Sequence, residues 1–120
     1  MKKLISKIDN QFLSSIRISN DEIIELLNKN EVVLLDIRYS FETEIWGFSF
    51  TKNIPLNELP NRLDELDKDK LIITICPEST RSNMACLYLL SEGFNAKFSD
   101  DGLIKLTNRL RGGKAKDLKI

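Results

Sequence analysis

Cys76 is the residue in this chain best placed to act as a nucleophile. It ends the apolar run Leu71-Ile-Ile-Thr-Ile75 and opens the segment Cys76-Pro-Glu-Ser-Thr-Arg-Ser82, after which a helical pattern begins at once. A cysteine between a strand end and a helix start faces free backbone N–H groups and the positive end of the helix dipole. A thiolate is stabilised in such a place, and Arg81 adds a permanent positive charge close by. The chain of 120 residues contains no histidine. Ser-His-Asp triads, Cys-His dyads and HExxH zinc sites are therefore excluded. Its two cysteines cannot form a four-thiolate zinc site either. Chemistry must run on cysteine, carboxylates, arginine, hydroxyls or backbone amides, and neither metal nor cofactor is expected.

The second cysteine reads differently. Cys86 falls inside the helical pattern beside Met84, Leu87, Leu89 and Leu90, so packing is its expected role, and the pair makes no CxxC motif. Asp36, at the end of the run Val32-Val-Leu-Leu-Asp36, either orients the cysteine loop or caps a turn, the structural role being favoured. Arg38 either binds an anionic donor or pairs with Glu42 or another acid.

The elements that must hold these residues follow from periodicity. Val32–Asp36 and Leu71–Ile75 are continuous β-type runs, as expected for parallel strands covered on both faces. Ile16–Ile18 predicts a short strand and Asn95–Ser99 a last one. Ser19-Asn-Asp-Glu22 resembles a capping box and opens a helix with Ile23, Ile24, Leu26 and Leu27 on its apolar face. The residues from Thr80 to Glu92 predict a strong helix closed by Gly93, and Leu103–Leu110 a final one. Leu4–Phe12 has helical spacing, Tyr39–Lys52 reads as irregular, Asn61–Leu66 as a short helix and Lys68–Lys70 as a turn. Strands alternating with helices define an α/β fold with a mostly parallel sheet.

Bulk composition agrees with one globular domain: 42% of residues are apolar and 30% charged. No apolar run is long enough to cross a bilayer. Met1–Lys7 is basic without an apolar h-region, and two cysteines in such a chain fit reduced thiols and a cytoplasmic setting. Eighteen basic and eighteen acidic residues cancel overall, yet residues 105–120 carry +5 and the remainder −5. The basic end is expected to be solvated, and no nucleic-acid partner is expected. Residues 1–14 read as an N-terminal extension, 15–110 as the domain and 111–120 as a basic tail. Within that tail region, the string Arg109-Leu-Arg-Gly-Gly113 is a coincidental match to a ubiquitin C-terminus.

Leu34-Leu-Asp-Ile-Arg38, Asn53-Ile-Pro-Leu56, the Cys76-x4-Arg81-Ser82 loop, Gly93-Phe94 and Asp101-Gly102-Leu103 stand in the order and spacing of single-domain rhodanese-like sulfurtransferases. The resemblance covers roughly residues 15–110. It implies a three-layer fold with a parallel sheet of about five strands flanked by helices. It also implies that Cys76 accepts a sulfane sulfur as a persulfide and passes it to a thiol or cyanide. The amides of Glu78, Ser79, Thr80, Arg81 and Ser82 would cradle that sulfur, Arg81 would brace the loop, and Asp36 and Arg38 would support it. The implied partners are a sulfane-sulfur donor and a thiol acceptor, small or protein. Related cysteine phosphatases need Cys-x5-Arg to enclose a tetrahedral oxyanion; the shorter loop here suits a single sulfur atom.

The loop also departs from the family pattern. Ser79 replaces a usual glycine, so any positive φ there would be costly. Pro77 lacks an N–H. Glu78 places a carboxylate where it would repel thiosulfate. Gly47-Phe48-Ser49-Phe50 replaces the usual Gly-His-Ile-x-Gly segment, and an expected tryptophan is Leu106. Trp46, Phe48 and Phe50 form either an apolar rim beside the loop or ordinary packing. Two functions are thus weighed: an active sulfurtransferase or persulfide carrier, and a rhodanese-like binding module with little or no turnover.

Overall fold

The runs Val32–Asp36 (β2) and Leu71–Ile75 (β4) lie side by side as parallel strands, with Val32 opposite Leu71 and Asp36 opposite Ile75. A computed structural model describes all residues 1–120, and these two strands form the middle of its sheet. Around them stand β1 (Arg17–Ile18), β3 (Lys52–Asn53) and β5 (Ala96–Ser99), in the order β1-β5-β4-β2-β3 with every pairing parallel. The central strands are apolar except at Thr74 and the terminal Asp36, because both faces are covered. Leu35, Ile37 and Ile72 face α5 (Thr80–Ser91), where Ala85, Cys86 and Leu89 are buried. Leu34, Ile73 and Ile75 face α3 (Asn20–Asn28) and α6 (Gly102–Arg109), meeting Ile23, Ile24, Leu27, Leu103 and Leu106. The result is a five-stranded α/β sheet between two helical layers.

The remaining elements differ in detail from the sequence expectation. The N-terminal pattern forms two short helices, α1 (Lys2–Ile5) and α2 (Asn10–Ser15), because Asp9 accepts a hydrogen bond from the Phe12 N–H (2.8 Å) and starts a new helix there. Tyr39–Lys52, read as irregular, contains α4 (Ser40–Ile45). The short helix expected at Asn61–Leu66 is a pair of 3-10 segments, Leu56–Asn61 and Leu63–Glu65, with Pro60 inside the first. The basic end stays exposed over most of its length, its lysines included, and is tethered to α3 near its end. Gly112–Asp117 forms a 3-10 segment, Asn28 exchanges hydrogen bonds with the Asp117 carbonyl (2.9 Å) and the Lys119 N–H (2.7 Å), and Arg109 pairs with Asp21 and Asp117.

Strand order sets the place for a ligand. The chain leaves β2 toward β3 and leaves β4 toward β5, in opposite directions across the sheet. In open parallel sheets a crevice opens beyond the carboxyl ends of two such strands. Asp36 and Ile75 end the pair, and Cys76 follows directly.

Candidate active site

Cys76 is 2% exposed and sits at the floor of a pocket of about 240 Å³ lined by Pro77, Glu78, Ser79, Thr80, Arg81 and Ile104. The Ser82 N–H donates to its Sγ (3.4 Å), and the Cys76 thiol donates to Ser82 Oγ (3.4 Å), which in turn donates to the Ser79 carbonyl (3.0 Å). The N–H groups of Glu78, Ser79, Thr80 and Arg81 are spent on no acceptor within the protein. Four unspent amides at the start of a twelve-residue helix, with a fifth already on the sulfur, form a receptor for negative charge at the end of a cysteine side chain.

The sequence signal of strain at Ser79 does not materialise. Its φ is −150°, so the loop passes this point without the positive φ that would demand glycine. The position that does demand it is Gly102, with φ +86°, where an added Cβ would lie 2.5 Å from both the Pro77 and Glu78 carbonyl oxygens. This close approach lets the first turn of α6 hold the cysteine loop: the Leu103 N–H donates to the Cys76 carbonyl (2.9 Å) and the Ile104 N–H to that of Pro77 (3.5 Å). Ser99 and Asn20 clamp the turn in place, with Ser99 Oγ accepting from the Gly102 N–H (2.9 Å) and Asn20 Nδ2 donating to the Gly102 carbonyl (3.2 Å). On the opposite side, Thr74 Oγ1 donates to the Ser82 carbonyl (2.7 Å) and ties α5 to the sheet.

Arg81 reaches α4, where its two terminal nitrogens hold Glu42 at 2.7 and 3.0 Å. Glu42 also accepts from the Tyr39 N–H (2.9 Å), so one carboxylate fixes both the start of α4 and the loop arginine. The Arg81 hydrogen bonds hold the Glu42 carboxyl well below the usual carboxylate range, at about 2. A depressed carboxyl stabilises the fold above its unfolded pKa, and this stabilisation is lost as pH falls through the folded value. Glu42→Gln is therefore expected to cost about 1–2 kcal/mol at neutral pH. Urea titrations of the two proteins should converge between about pH 5 and pH 2. A cost independent of pH would assign the effect to packing.

Asp36 and Arg38 are brought together, and not into the pocket. Asp36 Oδ2 accepts from Arg38 Nη2 (2.7 Å), and Oδ1 accepts from the Arg38 backbone N–H (3.1 Å). Arg38 further donates to the Trp46 carbonyl (3.0 Å) and lies 4.5 Å beneath the Trp46 ring. Asn53 Nδ2 bonds the carbonyls of both Asp36 (2.8 Å) and Arg38 (2.9 Å), closing the turn after β2. Of the alternatives for Arg38, pairing with Asp36 is the one observed. Phe48 and Phe50 stack on each other at 4.8 Å and pack on the α3/α6 core, while Trp46 stands at the rim. Cys86 is fully buried, and burial pushes its thiol up to about 12. It remains a thiol, consistent with a packing role.

Sequence reasoning missed Glu42, Asn53, Gly102 and Ile104 as parts of the site. The Asn53-Ile-Pro and Asp101-Gly102-Leu103 motifs were visible as patterns, and their purpose is tertiary. Nothing local marks Glu42 as the partner of an arginine 39 residues away.

The parallel α/β sheet thus carries the Cys76 thiol at a strand-to-helix junction, beside the backbone amides that open α5. The model of the rhodanese-like domain matches residues 19–108, and the chain belongs to this family. It is similar to a sulfurtransferase of Allochromatium vinosum, 28% identical over 91 residues, spanning 76% of this chain and 77% of that protein. The crystal structure of a rhodanese-related protein from Thermoplasma volcanium superimposes with a TM-score of 0.70 at 27% identity, covering 78% of this chain and 91% of that one. The human single-domain sulfurtransferase TSTD1 shares the fold, with a TM-score of 0.71 at 19% identity over 78% of this chain and 96% of that one. The buried Cys76 fits a persulfide-forming cysteine.

Proposed function

We propose that the chain is an active sulfurtransferase or persulfide carrier whose nucleophile is Cys76. The observation that carries this reading is the sulfur of Cys76 beneath four unspent amides, with room above it for one more sulfur atom and its substituent. The Cys76 thiolate attacks the outer sulfur of a donor, the donor's S–S bond breaks, and the donor leaves as a thiolate or, from thiosulfate, as sulfite. The terminal sulfur of the new Cys76 persulfide carries negative charge, which the amides of Glu78 to Ser82 stabilise. An acceptor thiolate or cyanide then takes that sulfur, and Cys76 returns as the thiolate. Arg81 and Glu42 act by holding the loop in shape. No step requires a general base on histidine, a metal or a cofactor. No helix is long and apolar enough to cross a membrane, and a cytoplasmic place suits a reduced thiol of this kind.

Glu78 selects among donors. Its carboxylate is exposed at the pocket mouth and opposes a dianion more strongly than a neutral or singly charged persulfide. Thiosulfate is thus expected to be a poor donor, and Glu78→Gln to raise its kcat/KM by about 3- to 10-fold, an advantage that shrinks as salt screens the charge. Thiocyanate formation from thiosulfate and cyanide measures this, and an unchanged mutant would remove the charge argument. The function itself is tested by whether Cys76 loads with one sulfur atom and whether Cys76→Ser prevents it.

A further inference from the structure

The Cys76 pocket opens onto an apolar surface for which a small sulfur donor or acceptor has no use. Phe41 (67% exposed) and Ile45 (82%) are four residues apart on α4 and form one stripe, and Ile104 (51%) of α6 lines the same groove as Ile45. Tyr39 stacks on Phe41 at 5.2 Å and extends the stripe. Between Trp46 and Ile104 runs a groove of about 340 Å³, and Pro77 and Ile104 line both it and the Cys76 pocket, so the two are continuous. A concentration of large apolar side chains at the mouth of a reactive pocket marks a contact surface for another macromolecule. The polar groups around it narrow the choice. Glu42 is neutralised by Arg81, whereas Glu44 and Glu78 are exposed and engaged in no ion pair, with Lys105 the neighbouring cation on α6.

We propose that this surface docks a protein thiol: an extended or loop segment of a partner polypeptide that carries the donor or acceptor cysteine. It would seat an apolar side chain in the Trp46–Ile104 groove and present basic side chains to Glu44 and Glu78. The inference rests on the reading of Cys76 as a persulfide-forming cysteine. In the acceptor direction, the partner thiolate attacks the terminal sulfur, the Cys76 S–S bond breaks, the partner gains the persulfide and Cys76 leaves as a thiolate. A second copy of this chain is a poor occupant. It would set Glu44 and Glu78 against their own like charges, and its own cysteine is sunk in a pocket at 2% exposure, out of reach of a facing thiol. An extended segment reaches the floor of such a pocket where a rigid surface cannot.

The test uses three fluorescent peptides: one with a serine in place of the cysteine, flanked by leucines and lysines; its twin with glutamates for lysines; and the cysteine form of the first. Binding of the serine peptides to the whole chain is read by anisotropy. The basic peptide is expected to bind at least about tenfold more tightly than the acidic twin. Phe41→Ser combined with Ile45→Ser is expected to weaken it by about tenfold while sulfur transfer to cyanide stays within about twofold of wild type. Glu44→Lys, on the solvent face of α4, should narrow the preference for basic over acidic peptide without touching the apolar stripe. Transfer from loaded Cys76 to the cysteine peptide should fall in the same variants. Equal binding of both peptides, or wild-type binding by the double variant, overturns the docking surface even where Cys76 loads normally. Binding as expected with a Cys76 that never loads leaves the surface standing and overturns the sulfur-transfer reading beneath it. A dimer in sedimentation that the double variant dissolves would assign the surface to self-association and overturn the proposal.

Discussion

A methyl group added at Gly102 is expected to cost about 3–5 kcal/mol and to dismantle the Cys76 loop in the protein that remains folded. Two effects add at this position. The backbone has φ +86°, a conformation that side-chain-bearing residues occupy only under strain, and the new carbon would stand 2.5 Å from two carbonyl oxygens and 3.0 Å from the Glu78 Cα. These neighbours are backbone, so they cannot turn aside as a flexible side chain would. The carbonyls that must move belong to Pro77 and Glu78, the residues on which the amide cradle is built. A displacement of about 1 Å there is expected to lower the rate of sulfur loading by about 10²-fold. Gly112 supplies the control: it also has positive φ (+59°), but nothing lies within 4 Å of its missing Cβ. Gly112→Ala is expected to cost about 1 kcal/mol and to leave loading unchanged. Thermal unfolding and single-turnover loading of the two variants measure both effects. Equal behaviour of the two would show that α6 does not brace the loop.

Removing the Asp36 carboxylate is expected to be as damaging for a different reason. Arg38 is 1% exposed, its guanidinium held by Asp36, the Trp46 carbonyl and the Trp46 ring. Asp36→Ala strands a permanent cation in the interior and is expected to cost about 3–5 kcal/mol. Changing both residues to apolar ones of similar volume removes the charge as well as its partner, and is expected to cost markedly less than the single change. Urea denaturation of the single and double variants gives the comparison. A double variant no better than Asp36→Ala would mean that the pair serves mainly through the turn it closes with Asn53.

The contrast between these two sites explains what could be read without a structure. β2 and β4 were legible because strands covered on both faces are nearly continuous apolar runs. The Cys76 loop was legible because it joins such a strand directly to a helix pattern. α4 was not, since Phe41 and Ile45 point to solvent and leave no buried stripe for periodicity to detect. The Asp36–Arg38 pair was visible only as two residues with several partners open to each, because burial decides between them. Positive φ was flagged as costly at position 79, and the positive φ that shapes the loop stands instead at position 102, where glycine is required by a helix packed against the loop from elsewhere in the chain. Short-range chemistry was therefore readable, while the bracing of the loop by Gly102, Glu42 and Asn53 depends on contacts that sequence spacing does not encode.

The central claim is that Cys76 carries sulfur. Its most direct test is the intact mass of the chain after brief exposure to a low-molecular-weight persulfide and removal of the donor. The expected result is an added mass of about 32 Da, one sulfur atom, located at Cys76, discharged by cyanide and absent in Cys76→Ser. Cys86, buried and held as a thiol, should remain unmodified. A Cys76 that never gains this mass from thiosulfate or any persulfide donor would contradict the account and leave a rhodanese-like binding module in its place.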